Sequence, residues 1–345
     1  MSTFTLSHAE PARRPALRRL GRSIAALGFA FASLAQAQTE TVRIADYPGI
    51  GNFLARIAVA HKLCDKHGIR CEPRTFPSAP VAMQTLLAGD IEVAWTPPEV
   101  FLQAVAKGAS LKVIGSGATS PVFFLLAGNH LETPNAAKGY PAVMRDLAGK
   151  KVGVVARGSS SEFQLITLLQ GAGMKADDVT IVAVGAPNTA LPALTGKQVD
   201  AMMLFQPMPA FCEVLKVCRL LVDPGNGEGP PDIVKLSGAA VALVVRGDYA
   251  QKKAAALDAL GKAMREADQW AHDPANLEAV RKLANETFNI DVPQAAAVVD
   301  AMLTPSLPNY RFSLDPKALQ HAAEYLHRSG QIDRVVDTST LLDLR

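Results

Sequence analysis

The chain has 345 residues, enough for two domains of ordinary size, and its 49% hydrophobic content can fill substantial cores. Its net charge of +3 sits at the N-terminus: residues 1–37 carry Arg13, Arg14, Arg18, Arg19 and Arg22 against Glu10, a balance of +4, which leaves −1 (3 − 4) for the rest. No basic stripe remains beyond that segment, which excludes nucleic acid as an expected partner.

The first segment reads as a secretory signal: arginines, an apolar run over residues 24–34, then Ala35-Gln36-Ala37, with cleavage expected after Ala37. The run is too short to span a bilayer comfortably. No cysteine lies near the cleavage point to carry a lipid. Arg18-Arg19 leaves a twin-arginine route open, although Gly21 stands where that signal usually has a bulky apolar residue. The expected location is the periplasm.

Residues 41–45 read as a first strand, followed by the glycine-rich turn Tyr47-Pro48-Gly49-Ile50-Gly51, with Asn52 capping a helix over 53–66. His67-Gly68 ends that helix. A second strand covers 69–76, and Ser78-Ala79-Pro80 opens a helix to Leu87. A third strand, 91–95, runs into Thr96-Pro97-Pro98-Glu99, which starts a helix ending near Lys107-Gly108. Strands follow at 111–115 and 121–127, the second read as a crossing segment, and residues 128–145 read as a polar connector. The strand at 152–155 is broken by Arg157-Gly158, and Ser159, Ser160 and Ser161 lead into an apolar-periodic helix. A serine cap, free first-turn N–H groups and the helix dipole make that turn a natural anion seat, with an ordinary βα connection as the alternative. Arg157 beside it could pair an anion bidentately or stand in solvent. Strands at 179–184, 200–205 and 219–222 follow, with Pro187-Asn188-Thr189 and Gln206-Pro207-Met208-Pro209 opening helices between them. Residues 223–232 form a Gly/Pro-rich loop, and 239–245 one more strand. After Asp248 the periodicity is helical only, near 254–270, 277–286, 293–303 and 316–329.

Two strand–helix series joined by a connector imply an α/β protein of two lobes with parallel-rich sheets flanked by helices. Ligands of open α/β sheets bind beyond the carboxyl ends of the strands. Several of the turns there open helices, an arrangement that suits a small anion. Four cysteines form two close pairs, Cys64 with Cys71 and Cys212 with Cys218, each bracketing a helix end and the next strand. In an exported chain they are disulfide candidates, with buried free thiols as the alternative and connectivity open. No zinc-type spacing is present, so no metal is expected, and no cofactor either.

Several pieces in order, VRIADYPGIG, LLAGDIEVAWTPP, DLAGKKVGVVARGSSSEFQL, ALTGKQVDAMMLFQPMPA and LHRSGQID, resemble the periplasmic solute-binding proteins of ABC importers. The group in question handles nitrate, taurine, alkanesulfonates, aromatic carboxylates and thiamine precursors. The resemblance covers almost all of 40–345. It implies a type II periplasmic-binding fold with the ligand cleft between lobes: lobe one 40–126 plus 234–345, lobe two 146–224, and hinge segments 127–145 and 225–233. It also implies a ligand-binding set: Tyr47, Gly49, Gly51 and Asn52 in the first turn, Thr96 and Pro97, the three serines, Asn188, and Phe205 with Gln206. Family members often have an acidic residue where Gln206 stands, so its neutral side chain favours an anion.

The implied role is capture of a small anion (sulfonate, sulfate ester, aromatic carboxylate or nitrate) by a monomer that delivers it to an inner-membrane permease. Two alternatives belong to other classes. One is a periplasmic sensing module docking to a receptor. The other is an enzyme on the same fold such as a cysteine-dependent desulfinase. Against an enzyme, the serine turn lacks the second glycine of a nucleophile elbow, no P-loop is present, and the cysteines fall away from the expected cleft turns.

Overall fold

The computed structural model describes residues 39–342, so the expected signal segment lies outside the described residues. In chain order the strands are β1 (Glu40–Asp46), β2 (Ile69–Thr75), β3 (Val93–Thr96), β4 (Leu111–Ala118), β5 (Phe124–Gly128), β6 (Lys151–Val154), β7 (Thr180–Ala183), β8 (Ala201–Leu204), β9 (Cys218–Val222) and β10 (Val241–Arg246). They form two five-stranded sheets, β2-β1-β3-β10-β4 and β7-β6-β8-β5-β9. Each has three parallel strands, then one antiparallel strand, then an edge strand. In each, the antiparallel strand comes from the other sheet's edge: β5 follows β4, and β10 follows β9. The two lobes therefore exchange a strand, and the chain crosses between them over residues 119–123 and 223–240.

The inner strands β3, β8 and β10 run as continuous apolar segments because helices cover both faces of each sheet. β3 and β8 are buried at every position. The crossovers expected between parallel strands are present as Phe53–Ala60, Ala79–Ala88, Pro98–Ala106, Ser160–Gly171 and Pro187–Thr195. Four long helices form after Asp248, at Ala254–His272, Leu277–Thr287, Ala295–Ser306 and Pro316–Arg328. Two of the Asp-Pro start signals act as expected: Asp273 and Asp315 each accept an N–H two residues on, from Ala275 and Lys317, at 2.9 Å. Both cysteine pairs close within their pair, Cys64 to Cys71 and Cys212 to Cys218, each tying a helix to the following strand.

Four expectations need correction. The boundary at 126/127 falls inside β5, whose pairing with β8 and β9 places it in the second sheet. Residues 127–145, expected as hinge, pack on that sheet: Asn129 N donates to the Val217 carbonyl, and the Arg219 guanidinium reaches the Leu131 carbonyl and Thr133 Oγ1. An isolated apolar run does not reveal which sheet it joins, so the crossing was placed about ten residues late. The helix expected over 53–66 is two pieces, because Lys62 turns left-handed at φ 54° and ends the first piece. Residues 223–232 contain a short 3-10 turn, Pro224–Asn226, and begin the helical turn Pro231–Val234.

Candidate functional site

The turn after β1 is held from beneath by Arg56. Its guanidinium bonds both Asp46 oxygens at 3.0 and 3.1 Å and donates to the Tyr47 carbonyl at 2.6 Å. Burial raises the Asp46 carboxyl above its usual range, against the lowering effect of Arg56. So fixed, Tyr47, Gly49, Gly51 and Asn52 form one wall of a cleft of about 670 Å³, counting its open mouth. Trp95 and Pro97 at the end of β3, and Ser78 before the next helix, complete the first lobe's side. The second lobe contributes Val155, Ser159 and Ser160 beyond β6 and Phe205 beyond β8. Phe123 on the crossing and Tyr310 from the C-terminal helices close the remainder. The carboxyl ends of strands in both sheets thus meet at one cavity.

Its polarity comes from backbone ends. Asn52, Ser78, Pro97 and Ser159, the residues preceding the helices Phe53–Ala60, Ala79–Ala88, Pro98–Ala106 and Ser160–Gly171, all line the cleft. None of the four makes a side-chain hydrogen bond to cap its helix. Each N-terminus carries about half a positive charge. No charged side chain is among the lining residues, so these dipoles set the sign of the local field, and it favours an anion.

Four lining residues also carry a buried polar atom without a hydrogen-bond partner among the described residues: Tyr47 Oη, Asn52 Nδ2, Trp95 Nε1 and Ser160 Oγ. Buried polar atoms are normally paired, and here four orphans fall on residues that line one cavity. All four can donate. Burial pushes the Tyr47 phenol far above its ordinary value, which keeps its proton in place. The walls are aromatic: Tyr47, Trp95, Phe123, Phe205 and Tyr310. Trp95 is only 1% exposed and reaches across β10, where a Cβ on Gly117 would stand 2.5 Å from its ring. Phe205 meets Phe123 edge-on at 6.1 Å. The Gly49 backbone presses on the same Phe205 ring, since a Cβ there would lie 2.5 Å from Cε2.

A match to the NMT1-like family covers residues 35–285. The chain belongs to the NMT1-like family. Putative binding proteins of Brucella abortus (strain 2308) and Brucella suis biovar 1 are each 32% identical over 180 residues; the chain spans about half (51%) of the length of these curated relatives, and the match covers 51% of the chain. Among solved structures, the alkanesulfonate-binding protein SsuA from Xanthomonas axonopodis pv. citri bound to MOPS superposes with a TM-score of 0.71 at 20% identity, over 89% of this chain and 99% of that one. The periplasmic nitrate-binding protein NrtA from Synechocystis PCC 6803 gives 0.62 at 16% identity, over 76% and 70%. The NMT1-like chain thus has the two-lobed type II periplasmic-binding fold.

Of the twelve expected site residues, the cleft of this NMT1-like protein gathers Tyr47, Gly49, Gly51, Asn52, Pro97, Ser159, Ser160 and Phe205. It does not gather the other four. Thr96 is fully buried beneath the turn, and its hydroxyl donates to the Pro97 carbonyl at 3.3 Å. Ser161 faces inward, where Oγ accepts from Val155 N at 2.9 Å and holds Ser159 Oγ at 2.9 Å; it shapes the serine turn from behind. Asn188 is exposed. Gln206 accepts from Ala210 N and opens on a second cavity at the back of the crossing segments. Arg157 points outward and pairs with Glu162 at 2.9 Å. The sequence does not single out Phe123 or Tyr310. For Trp95 the available signal is Gly117 on β4, because a glycine inside a strand makes room for a large ring.

Proposed function

We propose that this protein is the extracytoplasmic solute-binding component of an ABC importer. It would close two lobes on a small organic anion with an apolar, aromatic-sized body, such as an aromatic sulfonate or carboxylate, and present it to an inner-membrane permease as a monomer. The lobes in this reading are 39–118 with 241–342, and 124–222, hinged at the crossings 119–123 and 223–240. Gly238, at φ +98°, lies on the second crossing and donates to the Thr119 carbonyl on the first, so the two hinge strands are tied to each other. The reading is carried by one observation: an aromatic-walled cavity with no charged side chain is lined by the residues that start four helices and by four residues with an unpartnered donor. The N-termini supply attraction for a negative head. The rings supply stacking area that nitrate, with four heavy atoms, would leave unfilled.

An enzyme of the cysteine-nucleophile type lacks its nucleophile here, since all four cysteines are engaged in disulfides. Titration calorimetry with benzenesulfonate, benzoate, an alkanesulfonate and nitrate tests the proposal. Benzenesulfonate or benzoate should bind most tightly, with a negative heat-capacity change from ring burial. Nitrate binding more tightly than both would overturn the aromatic-body reading, and no binding by any of the four would overturn the anion reading.

A further inference from the structure

Behind the serine turn lies a polar cluster that touches no solvent and spans both lobes. Glu99, in the first turn of the helix Pro98–Ala106, is 0% exposed. Its Oε1 accepts from Gln164 Nε2 of the opposite lobe at 2.8 Å and from Tyr325 Oη at 2.7 Å. The Ser160 hydroxyl faces the same carboxyl. No hydrogen bond of ordinary geometry closes between them, and Glu99 Oε2, Ser160 Oγ and Gln164 Oε1 are left without partners. One oxygen with two donors and the other with none is the pattern of a carbonyl and a hydroxyl. A carboxylate would take the Ser160 proton on its second oxygen, whereas an acid would donate from that oxygen and leave the Ser160 proton free.

We propose that Glu99 is the positioning residue of the anion seat: held as an uncharged acid, it bridges the closed lobes through Oε1 and donates through Oε2 to Ser160 Oγ, which turns the Ser160 proton toward the ligand. This rests on the proposed anion-binding function. An ionised Glu99 would instead draw the Ser160 proton to itself and set a negative charge behind the seat.

No cation faces Glu99 from the elements packed against it. On Pro316–Arg328 the facing group is Tyr325, with His321 beyond it bonded to the Asp232 carbonyl and Arg328 paired with Asp232. On Ser160–Gly171, Glu162 pairs with Arg157. Arg246 of β10 pairs with Asp248, and Ala79–Ala88 has no ionisable side chain. The helix N-terminus favours the ionised form. Burial outweighs it together with the donors and raises the carboxyl above its ordinary range.

The test compares the wild type with Glu99→Gln, whose amide supplies the same carbonyl and a permanent donor. Because the folded-state value is raised, the acid's contribution to stability is present below the ordinary carboxylate range and is lost as pH rises through the raised value. The melting temperature of the variant should therefore gain on that of the wild type as pH rises. Wild-type affinity for benzenesulfonate should weaken by up to about tenfold for each pH unit above the raised value, while the variant stays flat. Parallel melting curves at every pH, or identical pH profiles of binding, overturn the inference. If the wild type binds no benzenesulfonate at any pH, the ligand class falls instead, and the melting comparison alone still decides whether Glu99 is neutral.

Discussion

Gly49→Ala isolates lobe closure from ligand chemistry. Gly49 has φ −162° and ψ 173°, extended backbone that alanine adopts freely, so the change brings no local strain. The added Cβ would lie 2.5 Å from Phe205 Cε2, 2.8 Å from Cδ2 and 3.0 Å from the Gln206 carbonyl oxygen. Ordinary carbon contacts are about 3.5–4.0 Å, so the ring or the turn must retreat by about 1 Å. Phe205 is backed by Phe123, and the turn is held by Arg56, so neither moves without loss. Overpacking of this size costs about 1–3 kcal/mol. The clash joins opposite lobes and vanishes when they part, so it penalises the closed state alone, and affinity for benzenesulfonate should fall by about 5- to 150-fold. Calorimetry reads the affinity, and the melting temperature of the unliganded protein should stay close to that of the wild type. In a Phe205→Ala background the same glycine change should cost much less, because only the 3.0 Å approach to the Gln206 carbonyl oxygen remains, which makes the cycle strongly non-additive. Affinity within twofold of wild type, or an equal loss in unliganded stability, would refute the closure reasoning.

Ser160→Ala removes one unpartnered donor and should weaken benzenesulfonate binding by about 1.5–3 kcal/mol, the range for a hydrogen bond to a charged group, and should lower unliganded stability by about 1–3 kcal/mol because the buried Glu99 acid loses its acceptor; calorimetry with thermal denaturation checks both. Gly117→Ala drives a methyl into the Trp95 ring, with contacts of 2.5, 3.0 and 3.1 Å, and should lower both stability, by about 1–3 kcal/mol, and affinity, with a change in tryptophan fluorescence. Reducing the two disulfides, whose partners are 7 and 6 residues apart, should cost about 2 kcal/mol each, the low end expected for short loops, read from urea midpoints with and without dithiothreitol. His272 bonds Asp268 at 2.8 Å and the Leu307 carbonyl at 2.9 Å, and the Asp268 bond is the main cause of its raised value. Its contribution is therefore complete below about pH 6.5 and lost as pH rises through the raised value, so the melting advantage over His272→Asn should shrink as pH climbs above about 6.5.

How much of this was legible follows from the range of the forces involved. The strand–turn–helix units could be read because an apolar run, a glycine or proline break and a capping residue act over a few positions. The same locality made the cleft's backbone readable: Asn52, Pro97 and Ser159 were singled out as helix starts and now share one cavity. The exchange of β5 and β10 could not be read, because Leu125-Leu126-Ala127 looks the same whether its neighbours run parallel or antiparallel. The aromatic walls were hidden for a related reason. Trp95, Phe123, Phe205 and Tyr310 come from four separate segments, and only the fold brings them together. Ser161 shows the limit at a single residue. By type and position it could not be told from Ser160, yet its hydroxyl is bound to Val155 N and Ser159 Oγ, whereas that of Ser160 has no partner. A single residue step, about 100° around the helix, separates a hydroxyl that builds the seat from one that can receive a guest. That difference is set by the strand behind the turn and by Glu99 across the lobe boundary, neither of which a capping rule takes into account.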